Sequence, residues 1–202
     1  MAENFCAVAG ILLTGGESRR MGFDKALLPV DGVPNAIRLA GVLSKSTSGP
    51  LVEVGPGFSG LASFKEQPAG AGPLVALAAG ARYLRGWGHT GPAIVLACDL
   101  PFVSAEALRA LAEWPGERSV VPMAEGLPQP LCALWSAGDL ALAADLVEKG
   151  ERAMKALLRA APVQLVNEMT LGTATAAEAC CMLVDVDTPQ DLWRFGLVPP
   201  GS

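Results

Sequence analysis

The chain has 202 residues, 51% hydrophobic and 17% charged, which is enough apolar surface to close a sizeable core and too much for a disordered polymer. With 15 Lys and Arg against 20 Asp and Glu, the net charge of -5 argues against a general nucleic-acid binder held by phosphate contacts; any anionic ligand must meet a local basic patch. A single histidine, His89, leaves too few parts for a His-based zinc site or a Ser-His-Asp triad.

In chain order, short apolar runs alternate with helical patterns, the mark of β-α units around a mostly parallel sheet. Near-continuous apolar runs predict buried strands at Ala7–Leu13, Pro50–Val54, Ala93–Cys98, Val120–Met123, Pro130–Trp135 and Met182–Val186. Between them Leu74, Leu77, Ala78, Ala81 and Leu84 repeat at helical spacing, as do Leu108, Leu111 and Ala112, and Leu140, Ala143, Ala144 and Val147. Ser104 and Thr188 stand where N-caps belong, the second with Pro189 at the first helical position and Asp191 three residues after the cap. The fold class is α/β, with residues 1–198 as one domain and 199–202 as a tail.

No apolar stretch fits a bilayer-spanning helix. The longest one without charge, Gln67–Ala81, is interrupted by Pro68, Gly70, Gly72 and Pro73. The apolar opening follows Glu3 without any Lys or Arg, so it reads as a strand and not as a signal peptide. Cys6, Cys98, Cys132, Cys180 and Cys181 form no Cys-x-x-Cys, which points to the reducing cell interior and a cytoplasmic protein.

The most informative segment is Leu13-Thr14-Gly15-Gly16-Glu17-Ser18-Arg19-Arg20-Met21-Gly22-Phe23-Asp24-Lys25, placed at the carboxyl end of the first strand, where ligands of open α/β sheets bind. Gly15 and Gly16 would turn backbone N–H groups toward an anion, and Arg19, Arg20 and Lys25 add cations. A solvated glycine-rich turn is the plain alternative. Neither a P-loop nor a dinucleotide fingerprint fits it; the formal Gly-x-Gly-x-x-Gly at Gly86–Gly91 follows a helix and leads into a strand, the reverse of the required order.

Asp99 ends the apolar run Ala93–Cys98 at that same sheet edge. Mg²⁺ binds phosphate substrates through one or two carboxylates, which suits Asp99, and a turn cap is the competing reading. Asp185 and Asp187 end another apolar run; they could approach a metal or solvate a strand-to-helix turn.

With these residues assembled, the chain resembles the molybdenum cofactor guanylyltransferases of the nucleotidyltransferase superfamily over nearly its whole length. The matching segments are Leu13–Lys25, Gly72-Pro73-Leu74, Cys98-Asp99-Leu100-Pro101-Phe102, Gln129-Pro130-Leu131, Gly150-Glu151-Arg152 and Val186–Leu192. The resemblance implies a Rossmann-like three-layer α/β/α fold of the nucleotide-diphospho-sugar-transferase type. It also implies transfer of GMP from GTP to molybdopterin cofactor with Mg²⁺, releasing pyrophosphate, and transient contact with proteins that donate or receive the cofactor. Leu13, Thr14, Gly15 and Gly16 match the nucleotide loop, Arg19 and Lys25 match positions near the triphosphate, and Asp99 matches the metal ligand. Glu66 matches an acidic residue that accepts hydrogen bonds from guanine or ribose, and Asp187 is a candidate second metal ligand. Three positions depart from the usual pattern: Thr14 replaces the more usual alanine, Glu53 falls where some members have an asparagine near the nucleotide, so that role is not carried over, and Asp185-Val186-Asp187 replaces the Asn-x-Asn of well-known members. A related enzyme using CTP or a different phosphorylated acceptor, or a binding module that holds a nucleotide without turning it over, are the competing functions.

Overall fold

The computed structural model describes residues 7–15, 21–171 and 183–200. In chain order the elements are β1 (Ala9–Leu13), β2 (Pro29–Val30), β3 (Val33–Pro34), α1 (Asn35–Ser46), β4 (Leu51–Val54), β5 (Ser63–Phe64), α2 (Pro73–Gly86), β6 (Ala93–Ala97), α3 (Ala105–Ala112), β7 (Val120–Ala124), β8 (Leu127–Pro128), β9 (Cys132–Trp135), α4 (Ala137–Glu148), α5 (Met154–Ala160), β10 (Gln164–Asn167) and α6 (Pro189–Phe195). Short 3-10 turns span Lys25–Leu27 and Glu168–Leu171.

All five residues of β1 are buried, as are all five of β6, because helices cover both faces of the sheet. β1 pairs in parallel with β6 on one side and β4 on the other, so Leu13 lies beside both Ala97 and Val54. The full order is β10-β7-β9-β6-β1-β4-β5, with β8 on β7. Most pairings are parallel; β9 is inverted between β6 and β7. The inversion begins at Glu125-Gly126, both at positive φ, the geometry of a two-residue hairpin turn joining β7 to β8.

Alternation along β1 divides the core. Ile11 and Leu13 pack with Leu74, Leu77, Trp135, Leu140 and Leu157 under α2, α4 and α5. Leu12 points the other way and packs with Leu39, Leu43, Leu96, Leu108 and Leu111 under α1 and α3. The result is the three-layer α/β/α arrangement. Where α2 crosses β1 the helix carries Gly80, whose added Cβ would stand 2.8 Å from Ile11 Cγ2, so a glycine sets the approach of helix to sheet. Ser104 and Thr188 cap α3 and α6 as expected, Thr188 in a reciprocal capping box with Asp191.

Of the strand expected at Met182–Val186, Leu183–Val186 carry no ladder, and Met182 lies outside the described residues. Both sides of β6 are already occupied by β1 and β9, so this segment attaches beyond the strand end by one bond, Val186 N–H to Asp99 O at 2.9 Å. The sheet edge is instead β10, parallel to β7. Gly86–Gly91 is the helix-to-strand connection, with His89 Nε2 3.1 Å from Pro92 O. No helix among the described residues is long and apolar enough to cross a membrane.

Candidate active site at the carboxyl ends of β1 and β6

β1, β4 and β6 end at one edge of the sheet, and a cleft of about 300 Å³ opens there. Leu13, Thr14, Gly15 and Glu66 line it with Gly70, Gly72 and Pro73; Lys25, Cys98 and Asp99 line it from the other elements that meet there. Thus Leu13, Thr14, Gly15, Lys25, Glu66 and Asp99, singled out from the sequence, meet in one cavity. Gly16 and Arg19 lie outside the described residues. A more open groove of about 450 Å³ runs over Phe64, Tyr83 and Trp87 with Arg82; it offers no acid or metal ligand, so the chemistry belongs to the strand-end cleft.

One expectation is corrected. The amide of Gly15 was expected to face an anion, yet Thr14 N–H and Gly15 N–H both donate to Val54 O, at 3.1 and 3.2 Å. The parallel register of β1 with β4 continues one residue past the strand and consumes these donors. Gly15 lies against Glu66: a Cβ there would come to 3.7 Å from Glu66 Oε2, an ordinary contact distance. Glu66 is buried and held through Oε1 by Gly70 N–H at 2.9 Å.

Lys25 opens the 3-10 turn that Asp24 caps by accepting from Ala26 N–H at 3.0 Å. Its ammonium bonds Asp187 Oδ1. Asp187 is held in turn by its own N–H, which donates to Asp191 Oδ2 at 3.0 Å. The Lys25 ammonium therefore offsets the charge of Asp187. Asp185 is exposed.

Burial pushes the Asp99 carboxyl up to about 6, and the charges of Asp187 and Asp185 add to the effect while Lys25 opposes it. Among the described residues no group of three or more His, Cys, Asp or Glu forms a ready metal centre. What exists is a partly buried carboxylate under the field of two others, a hard oxygen donor whose charge a divalent cation such as Mg²⁺ would offset. Cys98 and Cys132 have thiols pushed up to about 12, chiefly by burial and then by Asp99, which keeps them in the thiol form.

Two residues absent from the sequence reading hold the Asp99 loop. Asn35, fully buried at the start of α1, donates from Nδ2 to Cys98 O at 2.8 Å. One turn later Arg38 donates from Nη1 to Val103 O at 3.3 Å, so one helix pins both ends of Cys98–Val103. Ala36, Leu39, Ala40 and Leu43 at helical spacing were the available signal for α1. Arg152, in the matching segment Gly150-Glu151-Arg152, spends Nη1 on Val147 O and Glu151 O at 2.9 and 2.8 Å, so it caps the end of α4.

Residues 10–166 match the family model of the MobA-like NTP transferase domain. A "probable molybdenum cofactor guanylyltransferase" of Opitutus terrae is 34% identical over 177 residues, covering 79% of this chain and 82% of that protein. One of the same description from Pelotomaculum thermopropionicum is 33% identical, covering 96% and 94%. The fold is also that of the crystal structure of molybdopterin-guanine dinucleotide biosynthesis protein A from Archaeoglobus fulgidus, with a TM-score of 0.73, 21% identity and coverage of 93% and 96%.

Proposed function

The chain belongs to the MobA-like NTP transferase family and is a nucleotidyltransferase, and we propose that it transfers GMP from GTP to molybdopterin cofactor in a Mg²⁺-dependent reaction that releases pyrophosphate. The observation that carries this reading is the meeting of Thr14, Gly15, Lys25, Glu66 and Asp99 in one strand-end cleft. The names of the relatives supply the guanine and the acceptor.

The attacking group would be a phosphate monoester, whose second pKa near ~6 leaves it ionised at neutral pH. No general base is needed, in keeping with a chain whose one histidine is turned to Pro92 O. Asp99, with Asp187, would hold Mg²⁺, which when bound offsets the negative charge gathered on the departing pyrophosphate. Lys25 serves the same end from the protein by leaving Asp187 for the triphosphate, and Arg19 is assigned there from the family pattern. Leu13, Thr14 and Gly15 form the wall for base and ribose, and Glu66 accepts hydrogen bonds from the guanine edge or the ribose. Positioning and charge compensation carry the rate.

The test is product analysis after incubation with molybdopterin, Mg²⁺ and GTP, CTP or ATP separately. The expected product is the guanine dinucleotide with pyrophosphate. A cytosine dinucleotide would move the assignment to a CTP enzyme, and no dinucleotide with any of the three would overturn it.

A further inference from the structure

A residue just past the end of β1 and one on β4 touch behind the cleft. Thr14 Oγ1 donates to Glu53 Oε1, and Glu53, on β4, is fully buried. The loop after β4 wraps this carboxylate. Gly57 and Phe58 N–H reach Oε1 at 2.8 and 3.0 Å, Ser59 N–H reaches Oε2 at 2.8 Å, and Ser59 Oγ donates to Oε2 as well. Five donors converge on two oxygens, and an ionised carboxylate only accepts. Burial opposes the charge, yet the bonds from Ser59, Thr14 and the loop outweigh it and hold the carboxyl below its usual range. A glutamine here would turn its amide nitrogen against at least one backbone N–H.

The space around Thr14 is closed. A Cβ on Gly55, at φ 156°, would stand 2.0 Å from Thr14 Oγ1 and 2.8 Å from Gly15 N. Thr14 and Gly15 line the cleft while Glu53 stands behind them, inaccessible and with its acceptors engaged.

We propose that Glu53 is a positioning residue for the nucleotide: bound to Thr14 and to the Gly57–Ser59 loop, its carboxylate holds the Thr14–Gly15 wall in the shape that seats the nucleoside end, without touching substrate. This deepens the nucleotidyltransferase reading and rests on it. Glu53 thus works through Thr14, as a pair.

The test uses Thr14→Val, which removes the hydroxyl at nearly constant volume, Thr14→Ser, which keeps it, and Glu53→Gln. GTP affinity is measured by calorimetry with Mg²⁺, and KM and kcat by pyrophosphate release, below the unfolding temperature of every variant. Thr14→Val and Glu53→Gln should raise the Kd and KM for GTP about fivefold to tenfold, the weight of one hydrogen bond, with kcat within about twofold. Thr14→Ser, which keeps the bond to Glu53, should raise the Kd less than Thr14→Val does, and an equal rise in the two would overturn the proposal. The double variant should fall short of the product of the single effects, because both break one contact. A lowered Tm with unchanged Kd would reduce Glu53 to a fold residue, and a fall in kcat at constant Kd would place it in the chemistry; either overturns the proposal. If Glu53→Gln does not fold, the Thr14 pair decides. Wild-type protein that binds GTP but releases no pyrophosphate would overturn the catalytic reading alone, since the Kd series still reads the wall.

Discussion

In metal-free protein, Asp99→Asn is expected to raise stability near neutral pH while removing transfer activity. The Asp99 carboxyl is pushed from 3.8 up to about 6 by burial, with Asp187 and Asp185 adding and Lys25 opposing. A carboxyl whose folded pKa is raised destabilises the fold when ionised: the penalty is absent below 3.8, grows as pH rises and is complete above 6. At ~1.4 kcal/mol per pKa unit, the shift corresponds to about 3 kcal/mol as an upper limit. The amide keeps a polar group in the same half-buried place, so a gain of about 1–2 kcal/mol is expected. For a domain of this size that is a rise in Tm of roughly 3–6 °C. Thermal unfolding of both proteins in EDTA at about pH 8 and about pH 4.5 measures it, with the difference at the lower pH less than half that at the higher. No difference at the higher pH, or a larger one at the lower, would refute the electrostatic account of Asp99. Adding Mg²⁺ and GTP should stabilise wild type more than the variant, because ligand binding to the folded state raises its stability.

Lys25→Met, which removes the partner of Asp187, should lower kcat/KM by about 100-fold or more in the pyrophosphate assay; an effect under about threefold would remove Lys25 from the triphosphate. Glu66→Ala should cut GTP affinity about tenfold or more while leaving the weaker binding of other nucleotides nearly unchanged, and calorimetry across four nucleoside triphosphates reads this directly; equal loss for all four would assign Glu66 to the ribose. Asn35→Ala strips Cys98 O of its side-chain donor and should destabilise by about 1–2 kcal/mol in urea unfolding. It should also weaken Mg²⁺-dependent GTP binding, and unaltered binding would mean that Asn35 does not place the Asp99 loop.

Strands β1 and β6 were legible because burial on both faces leaves an unbroken apolar run, and the caps of α3 and α6 because a cap is a local pattern of a few residues. Leu183–Val186 misled for the same reason: Leu183 and Val186 are buried, but by docking beside the Asp99 loop and not by pairing in the sheet. β10 was hidden because, as an edge strand, it buries only Val166 and so shows no apolar run. Within the site, residue types that declare their chemistry at a strand end were readable, which is why Lys25 and Asp99 stood out, while Glu66 came only through the family resemblance. The destination of the Gly15 amide was not, because it is fixed by register with Val54, a residue far along the chain. Glu53 was visible as a departure, but its role depends on Thr14 and a loop that only folding brings around it.

The central claim is that the strand-end cleft moves the nucleotidyl group of GTP and discards its outer phosphates. Reaction with GTP labelled at the α-phosphate or at the γ-phosphate, with Mg²⁺ and molybdopterin, tests it most directly. Wild type should carry α-label into the pterin product and γ-label into pyrophosphate, and Asp99→Ala, folded by circular dichroism, should do neither. Label from the γ-phosphate in the acceptor, or full transfer by Asp99→Ala, would contradict the account.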